Sequence, residues 1–218
     1  MLTITHPHNV PVPNRLTWAL ALLLMLPMGA CSDGSDDSGS DDASESPTAT
    51  GPSVDVPAGV TLTEPGATLD LGQPASVVYD AGPQRASVLT VTVRKVVAGS
   101  MRQDFQNFVL GRSELKSTPY YVTATVRNAG PGKLGRATVP LYGFDSTNTY
   151  FPASPIVGNL DVCAGGPLPE SFGPKATEQT CQVFLVGKGA TLDAVELRPV
   201  EGFEPIRWPV PDSTSSGA

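Results

Sequence analysis

The stretch Tyr120-Tyr121-Val122-Thr123-Ala124-Thr125-Val126-Arg127-Asn128 alternates two kinds of side chain. Tyr120, Val122, Ala124 and Val126 fall on one face of an extended chain, and Tyr121, Thr123, Thr125 and Arg127 on the other. That period of two is the pattern of a strand with one face in a core. β-branched and aromatic residues fill it, and Ala129-Gly130-Pro131-Gly132 ends it as a turn. Residues 86–97 repeat the theme, opposing Leu89, Val91 and Val93 to Thr90, Thr92 and Arg94.

Outward from this pair, short strands are expected at 68–71 and 75–79, on either side of the turn Gly72-Gln73-Pro74. Further strands are expected at 139–144, 181–186, 191–197 and 206–208. One segment breaks the pattern. Ser100-Met101-Arg102-Gln103 fits a capping box, and Met101, Phe105 and Phe108 recur at helical spacing, predicting a short helix near 101–107 whose apolar residues plug one end of the core. Many short strands without a long amphipathic helix predict an all-β, two-sheet β-sandwich over residues 57–218, long enough to bury its own core.

The run Tyr120 to Gly130, followed by Leu141-Tyr142-Gly143-Phe144-Asp145, resembles the telokin-like immunoglobulin-fold domain of many Gram-positive, especially actinobacterial, lipoproteins. Those domains similarly carry an aromatic-led strand ending in Asn and a small turn, then a strand leading into an Asp-containing hairpin. The resemblance implies an immunoglobulin-like sandwich and assigns no chemistry.

The N-terminal segment has a different composition. Trp18 to Leu26 is nine consecutive apolar residues, whereas a spanning helix needs about 20. With Arg15 upstream and Gly29 and Ala30 downstream, residues 1–30 have the layout of a removable export signal. Met28-Gly29-Ala30-Cys31 resembles the lipobox of bacterial lipoproteins, which implies a diacylglycerol-bearing Cys31 as mature N-terminus and a lipid anchor at the extracytoplasmic face of the cell membrane. The alternatives are an ordinary cleaved signal with an incidental cysteine, or a short uncleaved anchor. With Cys31 assigned to lipid, Cys163 and Cys181 remain as an even pair in a compartment that permits a disulfide, the alternative being two buried free thiols. Residues 31–56 comprise Cys31 and a linker rich in Ser, Asp and Gly, which buries almost nothing and is expected to be a disordered tether. Its Asp residues lack the spacing and closing Glu of an EF-hand loop.

Charge and histidine content narrow the function. The formal charge is -7, and residues 32–56 hold seven acids with no Lys or Arg. Residues 57–218 carry 13 basic and 14 acidic side chains, so a nucleic-acid partner loses its main support. Both histidines, His6 and His8, precede the apolar run. Cleavage of the signal removes them, and with them imidazole-based triads, His-containing zinc sites and the facial iron triad. Ser113-Glu114-Leu115-Lys116 matches the S-x-x-K of penicillin-binding enzymes, but its companions S-D-N and K-T-G are missing. No catalytic residue, metal or cofactor is assigned.

Leu141 to Pro152, LYGFDSTNTYFP, sets aromatics around a polar hairpin tip, and Tyr142 and Tyr150 are its candidate binding residues. The competing reading packs the aromatics in the core. The expected function is a membrane-tethered, non-enzymatic immunoglobulin-like module that binds or scaffolds an envelope protein or a small ligand. The alternatives are a histidine-free, carboxylate-dependent cell-wall hydrolase and an accessory subunit of an envelope complex. A deep cleft with two facing carboxylates favours the hydrolase, and an exposed aromatic patch or open sheet edge favours binding.

Overall fold

In a computed structural model that describes residues 54–211, the alternating stretch is a strand that bonds to neighbours on both sides. The expected signal at 1–30, Cys31 and the linker up to residue 53 lie outside the described residues. The strands are β1 (Pro74–Asp80), β2 (Ala86–Ala98), β3 (Thr118–Asn128), β4 (Leu141–Asp145), β5 (Tyr150–Pro152), β6 (Thr177–Val186), β7 (Leu192–Leu197) and β8 (Ile206–Pro209). A short helix, α1 (Met101–Asp104), and a 3-10 turn at Glu114–Lys116 lie between β2 and β3.

Two antiparallel four-stranded sheets, ordered β1-β2-β3-β6 and β5-β4-β7-β8, make an all-β sandwich. The second order is that of the C′-C-F-G sheet of an immunoglobulin sandwich, and β2-β3-β6 that of A-B-E, with β1 added outside. Tyr120, Val122, Ala124 and Val126 face the core, each 3% exposed or less. Leu141, Val195, Leu197, Ile206 and Trp208 meet them from the other sheet. Trp208 is fully buried, and its Nε1 donates to the Gln73 carbonyl at 3.1 Å, so its polar edge is satisfied. Where β3 ends, the Ser87 hydroxyl donates to Asn128 Oδ1 (2.7 Å), and Asn128 Nδ2 donates to the Gly132 carbonyl (2.8 Å). A Cβ at Gly132 would collide with the Ala86 carbonyl, so the turn closes only around glycine.

Several local expectations need correction. The alternation across 86–97 is interrupted, because the β2–β3 register shifts between Val93 and Lys95. Val93 faces the core opposite Ala124, and after the extra residue Val96 takes the inner side opposite Val122. Residues 68–71 form no ladder. Thr68 makes a single parallel bridge to Arg207, and the chain then folds back as Gln73 N–H donates to the Asp70 carbonyl at 3.0 Å. At α1 the Ser100 side chain caps nothing; Asp104 Oδ2 instead accepts from Ser100 N–H at 2.7 Å and from the Tyr121 hydroxyl at 2.6 Å.

The helix ends at Asp104 rather than near 107, and the apolar residues of this segment do not plug the end of the core. Met101 and Phe105 pack with Tyr121, Val183, Leu160 and Cys163 on the outward side of β3 and β6. The reason lies in β3 itself: its alternation leaves Tyr121 on the outer face, where a large ring needs cover. Burial, and then the hydrogen bond to Asp104, hold the Tyr121 phenol well above its ordinary pKa. A disulfide between Cys163 and Cys181, with Cα atoms 5.3 Å apart, ties the covering loop to β6. Among the described residues no helix is long and apolar enough to cross a membrane.

Candidate recognition surface

The outer face of the second sheet carries a different set of residues. β4 sends Leu141 and Gly143 toward the core and leaves Tyr142 and Phe144 outside. Gly143 leaves room for the Phe151 ring, which a Cβ there would meet at 2.8 Å. Phe151 therefore points inward, edge to face with Phe184 at 6.2 Å, and its neighbour Tyr150 points out. On β7 Val195 and Leu197 face in and Glu196 faces out; on β8 Arg207 stands outside between inward Ile206 and Trp208. Register sets Phe144 opposite Tyr150, Tyr142 opposite Glu196, and Glu196 opposite Arg207.

Glu196 has no exposed surface although it lies on the solvent side of the sheet. Arg198 Nε donates to Glu196 Oε2 and Arg207 Nε to Oε1, both at 2.6 Å. A carboxylate removed from water requires such partners. Each arginine also lies on a ring: the Arg198 guanidinium is 4.0 Å from the Tyr150 centroid and that of Arg207 is 4.7 Å from Phe144. Tyr142 and Tyr150 meet edge to face at 6.1 Å. The arginine side chains are 22% and 42% exposed, and Tyr150 is 56% exposed.

Two guanidiniums share one carboxylate, so the group carries a net positive charge. Both spend Nε on Glu196, and no hydrogen bond within the described residues uses their Nη amines. The donors are thus held in fixed positions beside an exposed ring, and little side-chain entropy remains to be lost on binding. Free guanidinium amines beside a ring suit, in their chemistry, a flat group with acceptor oxygens or a negative charge.

The β4–β5 turn holds Tyr150 in place. Asp145 Oδ1 accepts from Thr147 N–H (2.9 Å), Thr147 Oγ1 (2.6 Å) and Thr149 N–H (3.1 Å). Burial pushes the Asp145 carboxyl upward, but these three bonds outweigh it and leave its pKa below the ordinary value. Asn148 takes the positive φ of 60° that the turn requires.

The structure brings together both binding residues expected from sequence, Tyr142 and Tyr150, on one outer face. Of the four rings in that segment, Phe151 alone packs against the core. Cys163 and Cys181 are bonded to each other, joining a loop to β6 of the other sheet. Cys31 lies outside the described residues. Sequence reading missed Glu196, Arg198 and Arg207. The spacing Glu196-x-Arg198 was a usable signal, since residues two apart on a strand share a face; the approach of Arg207 needed the β7–β8 register. Ser113 sits on the exposed 3-10 turn, where its hydroxyl donates to Glu114 Oε2 at 3.0 Å. Among the described residues no three His, Cys, Asp or Glu side chains are grouped to hold a metal.

Comparison of the chain with models of known families, with curated proteins and with solved structures finds no match.

Proposed function

We propose that the chain is a membrane-tethered, extracytoplasmic binding module without catalytic chemistry, and that the outer face of the β5-β4-β7-β8 sheet is its recognition surface. The observation that carries this reading is the pair of arginines fixed through Nε on buried Glu196, with Nη amines free beside the exposed Tyr150 ring. A buried ion pair contributes little net stability, so stability alone does not account for this grouping. The tether is supported by the lipobox-like Met28-Gly29-Ala30-Cys31 and the short apolar run before it. The partner is an envelope protein or a small ligand that offers a flat group with acceptor oxygens to the arginine forks.

The test is photocrosslinking in intact cells with a photoreactive amino acid at position 150, followed by mass spectrometry. A captured species that disappears in Tyr142→Ala and Arg198→Ala, at unchanged thermal stability, supports the reading. Capture that is indifferent to both substitutions overturns it.

A further inference from the structure

The edge of the first sheet is open along half of β1. Thr63 N–H donates to the Ser76 carbonyl at 2.8 Å, and Ser76 N–H donates to Thr63 Oγ1 at 3.0 Å. Ser76 therefore directs its backbone groups away from β2, and by the two-residue repeat Val78 and Asp80 do the same. Val88, opposite Val78, confirms the phase: its carbonyl accepts from Ala129 and Gly130, on the β3 side. The N–H and C=O of Val78 thus face outward with no partner among the described residues.

A cleft of about 510 Å³ runs beside them, between this edge, residues 62–65 and the β7–β8 turn at 199–203. That size lies within the roughly 300–1,000 Å³ of small-ligand sites. Leu62, Pro65, Val77 and Phe203 line it with apolar surface, and Leu62 and Val200 are 38% and 64% exposed at its mouth. Exposed Glu64 and Asp80 also line it. Glu204, held by Gly66 N–H on its carbonyl, adds a third acid nearby, and Arg85 in the β1–β2 turn lies beside Gly82.

We infer that this edge takes up a short extended peptide of another protein, which pairs with the backbone of Val78 and Asp80, lowers aliphatic side chains into the cleft and sets Lys or Arg beside Glu64 and Asp80. Unpaired strand groups call for an extended backbone, the apolar walls for aliphatic side chains, and the acids for basic ones. The segments that adjoin the described residues do not fit. Residues 32–53 are acidic, with no Lys or Arg and no Val, Leu, Ile or Met, and residues 212–218 are Asp-Ser-Thr-Ser-Ser-Gly-Ala. A second copy fits poorly as well, since pairing β1 with itself would bring two sets of Glu64 and Asp80 together and Ser76 is already bonded to Thr63.

The test uses the full chain, isotope-labelled, with acetyl-Arg-Val-Leu-Val-Lys-amide as probe. In the free chain the Val78 amide should exchange with solvent far faster than those of Val77 and Tyr79, and saturating probe should slow it about tenfold or more. Val78→Pro should abolish binding while leaving the β2 ladder whole, because the lost N–H points outward. A second variant, Glu64→Lys with Asp80→Lys, should weaken binding about tenfold at low salt. Several outcomes overturn the proposal: no binding at millimolar probe, an affinity unchanged by the charge reversal, or spectral changes confined to Tyr142 and Tyr150. Val78 protection that grows with protein concentration in the absence of probe also overturns it and assigns the edge to a second copy.

Discussion

Glu196 and Arg207 face each other across the β7–β8 ladder with Oε1 2.6 Å from Nε, and the carboxylate has no exposed surface. The same carboxylate holds Arg198, so one buried charge sets the position of two cations and, through them, of the rings of Tyr150 and Phe144. Glu196→Ala is expected to destabilise the chain by about 2–3 kcal/mol. This lies at or below the roughly 3–5 kcal/mol for breaking a fully buried pair, because both arginines can turn to water. Denaturant unfolding measures it; a loss below about 0.5 kcal/mol would show that the pairing does not organise the face.

Asp145 makes the hairpin turn pH-sensitive. Its folded pKa lies below the ordinary value of 3.8, so ionised Asp145 stabilises the fold above the unfolded value and the contribution fades as pH falls through the folded one. The stability difference between the native chain and Asp145→Asn should therefore be largest above about pH 4 and shrink toward zero in more acidic solution. A difference independent of pH between 2 and 6 would contradict the assignment of these hydrogen bonds to the ionised form.

Loss of the disulfide through Cys181→Ser, made with Cys163→Ser to leave no free thiol, is expected to cost about 3 kcal/mol. The bond closes a loop with a sequence separation of 18 and pins residues packed on the outer face of the first sheet. Amide exchange should rise first around Leu160 and in α1, while Val122 and Ala124 stay protected. Non-reducing peptide mapping that found two alkylatable thiols would remove the premise.

Membrane attachment should depend on Cys31. Cell fractionation of Cys31→Ala should move the chain out of the membrane fraction, since the nine apolar residues from Trp18 are short of a span. A variant that stays membrane-bound with its signal uncleaved would make that apolar run the anchor.

The full chain should release no product from peptidoglycan, glycan or ester substrates. Glu64 and Asp80 share the cleft wall, but both are exposed, and Asp80 Oδ1 accepts from Gly82 N–H at 2.8 Å as a turn residue. Turnover abolished by replacing either acid, with the circular dichroism spectrum unchanged, would establish a hydrolase instead.

Alternation in residues 120–128 was enough to place Tyr120, Val122, Ala124 and Val126 in a core, because side-chain direction along a strand depends only on a period of two. The sandwich followed from the count and shortness of such segments, and the turn after Asn128 from its glycines and proline. Tyr142 and Tyr150 were legible as a pair of rings flanking a polar hairpin.

Other features depended on partners distant in the chain. The bulge near Arg94 is invisible in sequence because it is a mismatch between β2 and β3, not a property of either. Gln103 looked like the partner of Ser100, but Tyr121 on β3 draws Asp104 into that role with a second hydrogen bond. Arg198 lies two residues from Glu196 and Arg207 eleven, and only the β7–β8 register puts both guanidiniums on one carboxylate. Local periodicity thus determined which side chains face the core, because pleat direction is a backbone property. Tertiary structure decided which outward faces are covered and which charges meet, because register and sheet order are set by packing between segments far apart in sequence.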